Sequence, residues 1–494
     1  MSLSGMNHCV KCNFNPTDID TSKRYRYSWR RKKPHSVISG LDNADTVDTV
    51  SKSRPFSSLS LVTILLLSLM VGMVTVPTVS ANNETKAGIV VGTETWSGTH
   101  TLTGNVTVAE GAKLVINAGT TINVPAGKYL QIRGAICAGD TTCGATQGST
   151  SSPVRFLWGT PADATAYGWC YSPGGQVPLY NQDAACGGGM IVRDTIDEAL
   201  TSLNFVHFEK AYGIPVYSSN AQKWLFGALV FDGASMDVNG LSFTDINTSN
   251  IIAVNAASPM ITNSQFTLGV DEQSYKAASI QAYGAGLGIL STMQVADSTF
   301  TGDTEAQCGN QGGGFSMIYT EDSYIRLDRL DISDNAYGVF MRGTSGWLTN
   351  STVDTLCNAI DTNSFKQTGD IEHILYVDDN EITTGEGAGI TAYDGARVSA
   401  TGNTISGASS GSGFGIRSSY VEIYNNDIGP IEGYNGLWIY GSSDVIAENN
   451  TIHDTTFEPV VLGEYHYKDQ GWSVPAPSAN RMYFANNIIE NNSG

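Results

Sequence analysis

One interval constrains this chain more than any other feature. An aliphatic residue introduced by Asn recurs in "DNEI" ending at Ile382, "GNTI" at Ile405, "NNDI" at Ile428, "NNTI" at Ile452 and "NNII" at Ile489, in steps of 23, 23, 24 and 37. Near-equal steps mark an internal repeat, and the long last step reads as one period carrying an insertion. About 14 or 15 residues before these positions lies a short alternating run, as in "GITAY" (389–393), "GFGIR" (413–417) and "GLWIY" (436–440). Alternation of apolar and polar residues is the period of a strand. Weaker copies run upstream, each 14 residues ahead of its partner: "VFMR" (339–342) before Val353, "IYTE" (318–321) before Ile332, "IAVN" (252–255) before Phe266, "LVFD" (229–232) before Phe243 and "IVRD" (191–194) before Phe205.

A unit of 21–24 residues built from short strands has no room for a helix. Hairpin turns of the Asn-Gly or Asp-Gly kind are not regularly placed either. An all-β solenoid satisfies both facts: each unit is one coil, and each strand pairs in parallel with its own copy one coil away. Asn tolerates the left-handed backbone of a sharp turn, and stacked amides can bond from coil to coil. The Asn pair is then a corner, and the following aliphatic is the first core residue of the next strand. Val339, Ile390, Leu437 and Ile452 are expected in the core.

The repeats "GLWIYGSSDVIAENNTI" and "GITAYDGARVSATGNTI" resemble those of the right-handed parallel β-helix proteins of the pectate-lyase-like superfamily. Residues 95–140 resemble the opening coils of secreted β-helix surface proteins, in which a Trp-containing lead precedes "VTV-x-x-G-A-x-L-x-I-x-x-GT". The resemblance covers roughly residues 90–494 and implies a single-stranded right-handed parallel β-helix of about a dozen coils. It says little about activity, because this fold carries lyases, hydrolases, adhesins and structural proteins. The lyase patterns "WIDH" and "RxPxxR" do not occur. Of the polygalacturonase set, Asp378–Asp379 supplies a "DD", but "GHG" and "RIK" are missing, and Asn380 beside the pair marks a corner.

The N-terminus divides differently. Residues 1–56 form a basic tail, expected to be cytoplasmic or disordered; 57–81 read as a signal peptide or signal-anchor helix; 82–494 hold the β-helix. The run 59–76 is 18 residues without a charge, and "TVSA" ends at Ala81 in a Val-x-Ala arrangement. Residues 1–81 carry net +5, so 82–494 carry about −25 by difference from the whole chain's −20. So acidic a domain does not bind nucleic acid through charge. It leaves Ca2+ as the ion to consider, with no cofactor otherwise implied and no metal site assigned. His8, Cys9 and Cys12 in "HCVKC" lack the fourth ligand of a zinc site. Cysteines 137, 143, 170, 186, 308 and 357 all follow the signal, where disulfides form, and proximity pairs Cys137 with Cys143, Cys170 with Cys186 and Cys308 with Cys357. Sequons fall at Asn83, Asn105, Asn247, Asn350, Asn449 and Asn491, with Asn449 expected in the corner ladder. The chain ends in "NNIIENNSG", a corner and one strand, so the expectation is a solenoid that continues or is capped by something else.

Alternation sorts the strand after each Gly. Ile318, Val339, Ile360, Ile390, Phe414 and Leu437 point inward. Tyr319, Phe340, Asp361, Thr391, Gly415 and Trp438 form one outward column; Glu321, Arg342, Asn363, Tyr393, Arg417 and Tyr440 form a second. Aromatic faces stack on sugar rings and guanidinium forks match carboxylates. Insertions at 364–373 and 464–479, the second containing Trp472, would rise beside these stripes. The candidate ligand-binding set is Tyr319, Glu321, Arg342, Tyr393, Arg417, Trp438, Tyr440 and Trp472. With no catalytic residue assigned, three readings stand: a non-catalytic scaffold at the cell surface or secreted, binding glycans or neighbouring proteins; a lyase or glycoside hydrolase acting on an acidic polysaccharide; and a structural stalk. The bland account of the stripes is cross-strand packing alone.

Overall fold

The computed structural model describes residues 83–159, 188–246, 248–268, 278–286, 288, 291–302, 308, 316–364, 373–441, 443–463 and 481–493. The N-terminal tail, the 57–81 segment, Cys170, Cys186, Asn247, Trp472 and most of both insertions lie outside them. Among the described residues no helix is long and apolar enough to cross a membrane.

Among the described residues, forty strands join in one hydrogen-bonded network, and all strand pairs but one are parallel. Each regular coil contributes three strands. Ile390–Tyr393 belongs to a sheet that will be called the groove sheet; Arg397–Thr401 to a middle sheet; Thr404–Gly407 to a corner sheet. The chain then re-enters the groove sheet at Phe414–Arg417. The alternating pattern had disclosed the first and third of these strands. The middle one follows the first so closely that the two read as a single run.

The repeating aliphatic pairs with itself as expected: Ile382 with Ile405, Ile405 with Ile428, Ile428 with Ile452 and Ile452 with Ile489. Val339, Ile390, Leu437 and Ile452 are buried, and one continuous apolar core runs from Val90 to Ile452. The Gly that opens each alternating run has a packing cause. A Cβ on Gly389, Gly413 or Gly436 would collide with the side chain of Ile405, Ile428 or Ile452 respectively. The core aliphatic of the corner sheet therefore dictates Gly at the start of a groove strand.

Where a corner holds two Asn residues, they divide the work. Asn425, Asn449 and Asn486 take left-handed φ values of 56°, 58° and 55° and turn the chain. Their successors point inward. The amide of Asn380 donates to Asn403 at 2.9 Å, Asn403 to Asn426 at 2.8 Å, Asn426 to Asn450 at 3.0 Å and Asn450 to Asn487 at 2.8 Å. Each Oδ1 also accepts the backbone N–H of the preceding rung's Asn. Asn380, Asn403, Asn426 and Asn450 are buried, and such amides are tolerated only when bonded. The expectation that Asn449 joins this ladder is corrected: Asn450 holds that rung and Asn449 is exposed at the turn.

Upstream, aromatic rings take over the core column that aliphatic residues fill from Ile332 onward. Phe156, Phe208, Phe243, Phe266 and Phe300 stack with centroids 5.6, 5.1, 5.3 and 4.5 Å apart. Phe205 was the expected core residue here, but it occupies a left-handed corner at φ 51°, and Phe208 three residues later fills the core. Disulfides close between Cys137 and Cys143 and between Cys308 and Cys357.

One element breaks the parallel rule. Ile214–Ser218 pairs antiparallel with the first half of Lys223–Asp232, making a hairpin with its turn at 219–222. Its Ile214, Val216 and Leu225 pack on Ile191, Val230, Ile252 and Val254 in a cluster separate from the main core. Those four belong to strands of the groove sheet whose inward positions are Met190, Leu229 and Ile251, so the hairpin covers that sheet's outer face.

Candidate functional site: a stripe beside the hairpin

The register of the groove sheet builds two outward columns. Tyr319 pairs with Phe340, then Asp361, Thr391, Gly415 and Trp438 in succession; Glu321 with Arg342, Asn363, Tyr393, Arg417 and Tyr440. Residues far apart in sequence thus become neighbours at the spacing of one coil, about 4.8 Å.

Three local environments follow along the stripe. Next to the hairpin, Tyr319 stacks on Phe340 with centroids 5.3 Å apart and tilts against Tyr283 at 5.4 Å. The Tyr319 hydroxyl donates to Glu321 Oε2 at 3.0 Å, and Arg342 Nη1 lies 3.9 Å from the same oxygen. Lys223, the first residue after the hairpin turn, donates to the Tyr283 hydroxyl at 2.8 Å. Burial, with Glu321 nearby, pushes the Tyr319 phenol up to about 12, and Tyr283 is raised as well. Both phenols stay protonated at neutral pH and act as hydrogen-bond donors there.

At mid-stripe, Asp361 is buried although its strand position faces outward. It accepts from Asn358 Nδ2 at 2.9 Å and from the Thr391 hydroxyl. Burial pushes its carboxyl up to about 6 despite those two donors. Further along, Arg417 sits over the Tyr393 ring at 4.8 Å and grips Asp394 through two bonds, at 3.2 and 2.8 Å.

The far end is aromatic and open. Trp438 is 40 % exposed, tilts on Tyr440 at 4.9 Å and stacks on Tyr434 at 6.0 Å. Tyr434 in turn stacks on Phe457 at 5.9 Å, and both are exposed. Alternation within strands does not find Tyr434 and Phe457, because each lies in the turn ahead of a groove strand. Lys223 and Tyr283 escaped it too, since a hairpin brings the one beside the other.

The candidate residues therefore do not form one exposed row. Tyr319, Glu321 and Arg342 share a cluster; Tyr393 and Arg417 pack on each other; Trp438 and Tyr440 join an exposed aromatic patch; Trp472 lies outside the described residues. Glu321 is only 5 % exposed. Among the described residues no three His, Cys, Asp or Glu side chains are grouped as metal ligands.

Residues 370–494 match the family model described as "Right handed beta helix region". With the parallel ladders that continue N-terminal to that segment, the fold is a right-handed parallel β-helix. No curated protein matches the sequence. Similar solved structures include the periplasmic alginate epimerase AlgG, at 9 % identity, TM-score 0.36, covering 81 % of this chain and 78 % of that one. They also include PfbA, a surface adhesin of Streptococcus pneumoniae, at 11 % identity, TM-score 0.33, covering 81 % and 82 %. A third is a family 28 exopolygalacturonase of Yersinia enterocolitica, at 10 % identity, TM-score 0.21, covering 81 % and 72 %.

Proposed function

We propose that this protein is an exported β-helix scaffold, secreted or held at the cell surface, that binds an extended glycan along the groove sheet without performing chemistry there. The observation that carries the reading is the exposed patch of Tyr434, Trp438 and Phe457 continuing into Tyr440. Exposed rings standing together on a rigid sheet offer stacking faces for sugar rings at little conformational cost. The disulfides Cys137–Cys143 and Cys308–Cys357 suit an oxidising compartment. Arg342 and Lys223 at the hairpin end would favour an acidic sugar.

The test is calorimetric titration of a glycan panel into the purified protein and into Trp438→Ala/Tyr440→Ala. Binding is expected to weaken by about 1–3 kcal/mol in the double variant, taking base–aromatic stacking as the analogue. Equal binding by both proteins, on every glycan that binds at all, would leave the patch as packing. No binding by the parent favours the stalk.

The cluster of Tyr319, Glu321 and Arg342 supports a second reading, a lyase or hydrolase, in which Arg342 would neutralise a uronate carboxylate in the transition state. New reducing ends or unsaturated uronates released from a polysaccharide panel would favour it.

A further inference from the structure

The corner sheet carries a different set of groups. Its outward column runs Thr121, Arg155, His207, Ser242, Gln265 from coil to coil. His207 Nδ1 lies 2.8 Å from Ser242 Oγ. On the same strand, two residues on and facing the same way, Glu209 Oε2 lies 3.7 Å from His207 Nε2. Arg155 Nη2 donates to that carboxylate at 2.9 Å, and Lys210 Nζ lies 3.8 Å from its other oxygen. His207, Ser242 and Gln265 line a shallow pocket of about 580 Å3, bounded by Phe205 and the 149–152 turn.

We propose that Ser242, His207 and Glu209 are the nucleophile, base and orienting acid of a site that hydrolyses short-chain carboxylic esters. The roles follow from the contacts. With the ring proton on Nε2, facing Glu209, the Nδ1 lone pair accepts the Ser242 hydroxyl. Ser242 Oγ adds to the ester carbonyl carbon while its proton passes to Nδ1. The imidazolium so formed lies beside the Glu209 carboxylate, which stabilises it. Collapse of the adduct breaks the bond to the alkoxy oxygen, and Nδ1 returns the proton to the leaving alkoxide. Water then attacks the acyl-Ser242 by the same proton route, releasing the carboxylic acid and restoring the hydroxyl.

Gln265 follows Ser242 in the column on the side away from His207, so its amide is the side-chain donor next to the developing oxyanion. One such donor suits an ester, whose alkoxide leaves more readily than an amine. Burial lowers the basicity of His207, Arg155 lowers it further and Glu209 opposes both, with the lowering dominant. The imidazole is therefore neutral, and able to accept a proton, at neutral pH. Nothing here depends on the groove sheet, so failure of this proposal and failure of the glycan reading are separate events.

The experiment is rapid mixing of the full chain with 4-nitrophenyl acetate, together with fluorophosphonate labelling and peptide mapping. The expected result is a burst of nitrophenolate and label on Ser242. The burst disappears in Ser242→Ala. Acylation slows by about 100-fold or more in His207→Gln. The parent's burst rate rises with pH through a midpoint below 6.5. A folded parent that gives no burst and no label on Ser242 overturns the proposal. So does label on Ser242 that His207→Gln leaves unchanged, which would reduce the contact to coil-to-coil packing. Because the decisive readouts are made on the parent and on a variant checked by circular dichroism, misfolding of one variant does not rescue the idea.

Discussion

The groove sheet has two lengths of outer face with opposite chemistry. Under the hairpin, the outward positions are Ile191, Val230, Ile252 and Val254, all buried. Beyond Tyr283 they become Tyr, Arg, Thr and Trp, and Trp438 is open to solvent. The backbone is the same in both lengths, with parallel strands in unbroken register. Among the described residues, the hairpin covers only the first of the two lengths. In the covered length, outward side chains act as a second core; in the other length Glu321, Asp361 and Thr391 stay buried while Trp438 reaches solvent. Strand alternation reports which side a residue faces, and only the chemical type of the residue reports what lies over that side.

The comparison can be broken most severely by truncating one residue from each length. Ile252→Ala is expected to cost about 2–5 kcal/mol, the range for emptying a packed apolar site. Trp438→Ala, exposed, is expected to cost under about 1 kcal/mol. Urea unfolding of both variants measures the contrast; equal losses would mean that both lengths are covered.

Asp361 sharpens the boundary, because it is a buried carboxyl within the chemically polar length. Its folded pKa of about 6 lies above the value of 3.8 for a free carboxyl. The folded state thus binds the proton more tightly than the unfolded state. The site's stability is greatest below the unfolded value and is lost as pH rises through the folded one, by roughly 2–3 kcal/mol in total. Asp361→Asn should remove that slope. Melting temperatures of parent and variant between pH 4 and pH 7 should diverge, with the parent falling relative to the variant. A constant difference across that range would place Asp361 in contact with water.

The smallest effect concerns the seam between the two lengths. Lys223→Ala removes a hydrogen bond to Tyr283 and a cation lying 4.4 Å from that ring's centre. A loss of about 1 kcal/mol is expected. Faster proteolytic cleavage within residues 219–222, with the global melting temperature nearly unchanged, would show that the hairpin tip is held from this point. Unchanged cleavage would assign the holding to Ile214, Val216 and Leu225 alone.

Much of this architecture was legible because a solenoid repeats its instructions. The period placed Ile382, Ile405, Ile428 and Ile452 in one column, and alternation put Tyr319 through Trp438 on one face. Three things were hidden, each for a physical reason. The hairpin was hidden because "IPVYSSNAQKWLF" is joined by a polar turn without the Gly that marks tight hairpin turns. Phe208 was hidden behind Phe205 because "NFVHF" offers two aromatics three apart, and the choice depends on which one the corner places at positive φ. The meeting of His207 and Ser242, 35 residues apart, depends on the length of the coil between them and is invisible until the ladder is registered.

The Asn ladder has a consequence for how such a chain can change length. Each rung from Asn380 to Asn450 gives an amide hydrogen and its backbone N–H to the Asn of the following rung, and its Nδ2 also donates back to a carbonyl of the preceding coil. A rung does not recognise which rung comes next, only that an Asn arrives at the right place. Excising residues 404–426 would bring Asn403 directly to Asp427 and present Asn450 as its new acceptor. The column would close with one step fewer. Whole coils can therefore be copied or deleted without cost to the polar interior, and the ladder also accepts coils of unequal length, with successive rungs 23, 24 and 37 residues apart.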